Sequence, residues 1–207
     1  MKEGLELEVS QILRFLSLAR KMELTYRHTP KPGSPETFES DAEHSWSVSL
    51  ICILVASRVE EEFGIKLDQA KMLKMAIIHD LAEAITLDTR TWDEVARVGK
   101  AKKERDAILQ LTSQLPDNLK AEIISLWEEC EKRESPEAMI VKSVDRFDPV
   151  IHRTVFELGW KNVEDEHATI EALDGRQLPR HQFSQVLTEI YTQVRDEAIT
   201  KGLFPSF

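Results

Sequence analysis

Glycine is scarce, with seven in 207 residues, and no segment alternates convincingly between apolar and polar positions. That argues against a fold built on strands and tight turns. Cysteine is almost absent. Cys52 and Cys130 lie far apart, each inside an apolar helical pattern, which excludes a disulfide framework and a cysteine-based zinc site and fits a reducing compartment. No apolar run approaches the ~20 residues of a membrane span, and the start MKEGLELEVSQIL has acidic residues where an export signal needs a basic one. These absences lead us to expect a cytoplasmic protein with no membrane partner. Positive charge is also in deficit: 27 lysines and arginines face 37 aspartates and glutamates, for a formal charge of −10. A broad electrostatic grip on nucleic acid is therefore not expected, although a basic pocket inside an acidic surface remains open.

What is present is hydrophobic and charged, 42% and 31% of the residues. That is enough to bury a core, and one domain over residues 1–207 is expected, its core at about 13–160. Most segments repeat with a period near 3.6, so the expected fold class is all-α, a helical bundle. A first helix runs from about Leu5 to Leu24, with a stripe of Leu5, Val9, Ile12, Leu13, Leu16 and Ala19. Pro30, Pro32, Gly33 and Pro35 crowd His28 to Glu39, which reads as a surface loop. Ser40 and Glu43 form a capping box for a second helix, from about Asp41 to just before Gly64. Asp68 caps a third from Gln69 to about Ile85, and Thr91 or Asp93 a fourth reaching Leu111. Asp117 opens a fifth through Cys130. Ser135-Pro136 starts a sixth reaching about Leu158, and a last helix spans about Arg180 to Thr200.

Four residues with metal-ligand chemistry fall on inward faces of three of these helices. His44 lies 4, 7 and 11 residues before Val48, Ile51 and Val55, on the buried stripe of the second helix. His79 continues the stripe of Met72, Met75 and Ala76, with Asp80 beside it. Asp145 follows Val141 by one turn. A buried carboxylate must be paired, protonated or bound to a metal. Two imidazoles and two carboxylates converging in a helical core resolve that cost by sharing one divalent cation. Mn, Co, Mg, Zn and Fe all suit such a donor set. Taken singly, each residue reads more readily as a satisfied core histidine or a surface or capping aspartate than as a ligand. The ordered set is what points to a metal. Asp148 and His152, at offsets of 3 and 7 from Asp145, are available as outer partners or as ordinary polar helix residues. His28, His167 and His181 fall in loop-like or polar stretches.

The stretches AEHSW (42–46), IIHDLAEA (77–84) and VKSVDRFDP (141–149) resemble the H…HD…D signature of HD-domain phosphohydrolases. They are most similar to the branch that contains the 5′-deoxynucleotidases. The likeness runs from about Leu13 to about Asp148 and includes QLPDNLKAEIISLWEECE. It implies His44, His79, Asp80 and Asp145 as ligands of one divalent metal and Glu83 as a catalytic acid/base. It further implies Asp88 as a contact to the sugar of a nucleoside monophosphate, and homodimers as a common assembly. The family keeps an arginine and a tryptophan near the end of the first helix. Here the run is LARKMELTYRHT, without tryptophan; of its basic residues Arg20, Lys21 and Arg27, Arg20 is taken as the phosphate-binding residue, and whether the sugar is ribose or deoxyribose stays open. Lys103 and Glu104 also resemble a charged stretch of this branch, and read equally as a solvated face. Two-metal HD enzymes need further histidines between the doublet and the last aspartate, and there is none from Asp80 to Asp145. A nucleotide-binding HD protein without turnover, a hydrolase of another small phosphate ester and a purely structural bundle are the remaining alternatives.

Overall fold

The computed structural model describes residues 2–88, 95, 98–160 and 169–205. Helices dominate it, and the core is where four of them meet: α2 (Asp41–Phe63), α3 (Gln69–Ile78), α7 (Pro136–Val155) and α9 (Gln185–Thr200). Val48, Cys52, Met72, Met75, Ile140, Val144, Phe147, Leu187 and Tyr191 are all fully buried there. A second cluster lies under α5 (Lys100–Thr112) and α6 (Asp117–Lys132), around Ile108, Leu111 and Trp127, and takes in Met22 and Leu81.

Local signals set the helix starts. Ser40 accepts from the Glu43 N–H while Glu43 accepts from the Ser40 N–H, so two orphan donors of α2 are satisfied reciprocally. Gly64 closes α2 at φ +64°, a conformation that costs a residue without Cβ little. Asp68 caps α3 and Ser135 caps α7, as their residue types lead one to expect.

Several elements differ from the sequence pattern. Residues expected as a loop between His28 and Glu39 belong to a two-stranded hairpin, β1 (Tyr26–Lys31) and β2 (Ser34–Ser40), turning at Gly33 with φ +76°. Proline is tolerated because both strands of a lone hairpin are edges and need not donate everywhere. The first helix, α1 (Lys2–Ala19), stops short of Leu24 and is followed by a 3-10 turn, Arg20–Glu23. Most of its expected stripe is not buried: Leu5, Val9, Leu13 and Leu16 are exposed and Ile12 is half-buried, while Ala19 packs inward together with Phe15 and Leu18. The helix expected to reach Ile85 stops at Ile78. Hydrogen bonds from Leu81 to Ile78 and from Glu83 to Asp80 wind the chain more tightly before the single turn α4 (Glu83–Thr86). Thr91 and Asp93, expected to start a fourth helix, lie outside the described residues; α5 begins at Lys100. Near the C-terminus an unexpected helix, α8 (Ile170–His181), capped by Thr169, precedes α9, and Ser184 separates the two.

Candidate metal centre

His44 projects from the second turn of α2, His79 caps the C-terminal end of α3, Asp80 opens the tight turn after it, and Asp145 sits midway along α7. One ligand atom from each of the four lies within 4.8 Å of the others. His44 Nε2 is 3.2 Å from Asp145 Oδ1 and 3.8 Å from Asp80 Oδ2; His79 Nε2 is 3.2 Å from Asp80 Oδ2 and 3.7 Å from Asp145 Oδ1. Both imidazoles are buried, and Asp80 nearly so.

The outer nitrogens of the imidazoles are spoken for. His44 Nδ1 donates to Asp148 Oδ2 at 2.7 Å, and Asp148 Oδ1 accepts from the Ser47 hydroxyl at 2.5 Å. His79 Nδ1 donates to the Ala76 carbonyl at 2.8 Å. These bonds fix each ring so that Nε2 faces the cluster, the arrangement metal-ligating histidines use. His79 Nε2 is buried with no hydrogen-bond partner. A buried ring nitrogen left without a partner and aimed at two carboxylates is what a cation seat requires. The residues therefore fit a divalent metal, and mixed N/O donors leave its identity among Mn, Co, Mg, Zn and Fe open.

The field at the cluster favours positive charge. Burial alone would lower the pKa of both histidines, and Arg27 opposes His44 further, but Asp145 and Asp148 raise His44 to about 9, while Asp80 and Asp145 raise His79 to about 10. Against the cost of burial, His79 and Arg27 hold Asp80 well below the usual carboxylate range, and His44 and His79 do the same for Asp145. Arg27, from the hairpin, donates through Nη1 to Asp80 Oδ2 at 2.7 Å.

Glu83 is buried beside this group. Burial, with the charge of Asp80 adding, pushes its carboxyl up, partly offset by Lys100, whose ammonium donates to Oε1 at 2.9 Å. Its Oε2 has no partner. Lys100 also contacts Glu104 at 3.0 Å, and Lys142 lies 3.9 Å from Asp145 Oδ2 while bonding Glu131 at 2.7 Å.

The profile of the HD domain family matches residues 21–185, most of the chain. The chain belongs to the HD domain family. The 5′-deoxynucleotidase HDDC2 of Xenopus laevis is 31% identical over 152 residues, 70% of this chain and 69% of that protein. Its counterpart in Danio rerio is 30% identical over 155 residues, 72% and 71% of the two chains. Among solved structures, a protein of Magnetospirillum magnetotacticum MS-1 described as a predicted metal-dependent phosphohydrolase superposes with a TM-score of 0.80 at 28% identity, covering 96% of each chain.

Within this HD domain, the four residues expected as ligands do converge, and Glu83 stands next to them. Asp88 lies just past α4, half-buried, near enough for its charge to act on Arg27, Asp41 and Glu83. Arg20 is not brought into the HD cluster. It is exposed on the 3-10 turn, 3.0 Å from Glu23, and the guanidinium at the cluster is that of Arg27. The hairpin makes the difference, because a strand carries Arg27 inward where a loop would leave it unplaced. Lys100, Lys142 and the buried Asp41 were also missed. Only the Lys100 to Glu104 spacing of one helical turn gave any signal for them. His181, assigned by sequence to polar surroundings, is fully buried between Ser143, Phe147 and Tyr191. His167 lies outside the described residues. Cys52 and Cys130 are buried and unpaired, and no described helix is long and apolar enough to cross a membrane.

Proposed function

We propose that the chain is a metal-dependent phosphomonoester hydrolase acting on nucleoside 5′-monophosphates, with water and substrate giving nucleoside and inorganic phosphate. The observation that carries this reading is the convergence of His44, His79, Asp80 and Asp145 within 4.8 Å, with His79 Nε2 buried and without a hydrogen-bond partner. The names of the curated relatives suggest the nucleotide substrate, and that of the solved neighbour only phosphate-ester hydrolysis with a metal.

A divalent ion held by those four residues would supply Lewis-acid neutralisation of phosphoryl charge and a water acidified towards neutral pH. The remaining work falls to the chain itself. Arg27 presents a planar fork of donors matched to nonbridging phosphate oxygens. Burial pushes the Glu83 carboxyl up, which favours a proton on it. Oε2, free of other bonds, delivers that proton to the 5′-oxygen as the ester bond to phosphorus breaks. Lys100 fixes Oε1 and thereby aims the other oxygen. Asp88 is assigned to the sugar on the family likeness. Asp148 orients His44.

The buried, unpaired cysteines support a cytoplasmic setting. The homodimer stays a proposal from the family likeness: α9 closes the core through Leu187 and Tyr191, and both α1 and α2 expose apolar side chains. The test is phosphate release from a panel of ribo- and deoxyribonucleoside 5′-monophosphates beside simple aryl phosphates. Release confined to nucleotides supports the reading, and the ratio of sugars assigns the preferred one. Nucleotide binding without release would instead mark a binding protein. Release from other esters alone would move the substrate class.

A further inference from the structure

The Arg27 guanidinium is offered three carboxylates and satisfies one. Nη1 donates to Asp80 Oδ2 at 2.7 Å, and the same nitrogen is 3.7 Å from Asp41 Oδ1; Nη2 is 3.9 Å from Asp145 Oδ1. Asp41 is an unusual neighbour. It is 0% exposed, and neither of its carboxylate oxygens has a hydrogen-bond partner among the described residues. A carboxylate in that position is strongly disfavoured unless something compensates it. Its place in the first turn of α2 gives it the positive end of the helix dipole but no donor.

The backbone ties the two residues together. The Asp41 N–H donates to the Thr25 carbonyl at 3.0 Å, and Tyr26 pairs with Ser40 across the hairpin. Arg27 and Asp41 therefore belong to one small framework, whereas Asp80 and Asp145 come from other elements. Both of these, Asp80 and Asp145, are residues we assign to the metal. A guanidinium bonded to Asp80 Oδ2 and a divalent cation draw on the same oxygen, and two positive charges at that range repel strongly in a buried site. A shift of about 1 Å carries Nη1 from Asp80 to Asp41 and within the ~2.7–2.9 Å of a charge-assisted hydrogen bond.

We propose that Asp41 is the working seat of Arg27: when a cation takes Asp80 and Asp145, the guanidinium transfers to Asp41, which holds its fork towards the phosphoryl oxygens. Asp41 is then a positioning residue, touching neither metal nor substrate. The proposal rests on the hydrolase reading above but fails separately from it.

The sign of one effect separates this role from simple electrostatics. Asp41→Asn keeps the side-chain shape and removes a negative charge near the phosphate position. If Asp41 were only a nearby charge, its loss would tighten phosphate binding. If it seats Arg27, its loss weakens binding. The probe is inorganic phosphate, titrated by calorimetry into the Mn-loaded full chain. We expect Asp41→Asn to weaken phosphate on the order of ten-fold, with KM for nucleotide rising in parallel. Arg27→Ala should weaken it at least as much, and the double variant no further than Arg27→Ala alone. The metal-stripped Asp41→Asn protein should melt at or above the wild-type temperature, since an uncompensated buried charge has gone. Should that variant fail to fold, Asp41→Ser carries the same expectation.

Phosphate affinity unchanged or tighter in either variant, or additive losses in the double variant, overturns the seat. So does a second bound cation lost with Asp41, which would make Asp41 a ligand. Absence of phosphate release from every ester by the wild type would sink the hydrolase reading without bearing on these binding results.

Discussion

Glu83 and Asp148 both lie within one residue's reach of the cluster, yet they are tied to it differently, and their substitutions should separate chemistry from metal holding. Glu83 contacts Lys100 and leaves Oε2 free, so Glu83→Gln removes a transferable proton and little else. Turnover at saturating metal should fall by about 10²- to 10⁴-fold with metal affinity unchanged. Asp148 bonds the outer nitrogen of His44 and touches no cluster atom except through that ring. Asp148→Asn should weaken metal binding by about 10- to 100-fold and leave kcat at saturating metal close to wild type. Paired metal titrations and steady-state kinetics check both; equal losses of kcat in the two variants would contradict this division. Glu83 is singled out in the sequence by the family pattern alone, whereas the offset of Asp148 from Asp145 leaves it open between an outer partner of His44 and an ordinary polar helix residue. Arg27 was passed over for Arg20 because charge and proximity in sequence do not say which of two arginines a strand turns inward.

At the scale of elements, the site depends on how α2 begins. Ser40 caps the helix, pairs with Tyr26 in the hairpin and precedes Asp41 and His44. Ser40→Ala removes the acceptor for the Glu43 N–H and should cost about 1 kcal/mol, a fall in Tm of roughly 2–4 °C for a chain of this length. Calorimetric melting of the metal-free protein reads it, and an unchanged Tm would mean that the hairpin alone fixes the start of α2. This capping box was legible because it is a local, four-residue signal. The hairpin was not: Pro30 and Pro35 argue against a strand in a sheet interior, and nothing local shows that both strands are edges. The tight turn at Leu81 and the split between α8 and α9 were equally hidden. In both places apolar periodicity runs on through the break, so only tertiary packing reveals it.

Across the whole molecule, the buried His181 joins α7, α8 and α9, bonding Ser143 at 2.6 Å and lying edge-on to Phe147. Burial, with Arg146 and Arg180 adding, depresses its pKa from 6.5 to about 4. The unfolded chain therefore takes up this proton first as pH falls. The stability associated with the neutral ring is complete above pH 6.5 and is lost as pH drops towards 4. Between pH 7 and pH 5 the loss amounts to about 2 kcal/mol. Denaturant unfolding of wild type and His181→Gln at those two pH values should show that difference in the wild type alone; parallel losses would contradict it. The helical class and the buried faces of α2, α3 and α7 were legible because periodicity of 3.6 is a strong signal over long segments. The exposed stripe of α1 was misjudged because an apolar stripe does not say what covers it. His44 and Asp145 came inward as expected because each sits on a helix face that packing turns to the core, and the end of α3 brings His79 and Asp80 to them. The central claim is that these four donors hold the metal on which hydrolysis depends. The most direct measurement is phosphate release from a nucleoside 5′-monophosphate by the metal-stripped chain, before and after readdition of Mn, Co or Mg, with Asp80→Ala alongside. Release should appear only with metal and be abolished in the variant; release without metal, or undiminished in Asp80→Ala, would show that these donors do not hold a metal on which hydrolysis depends.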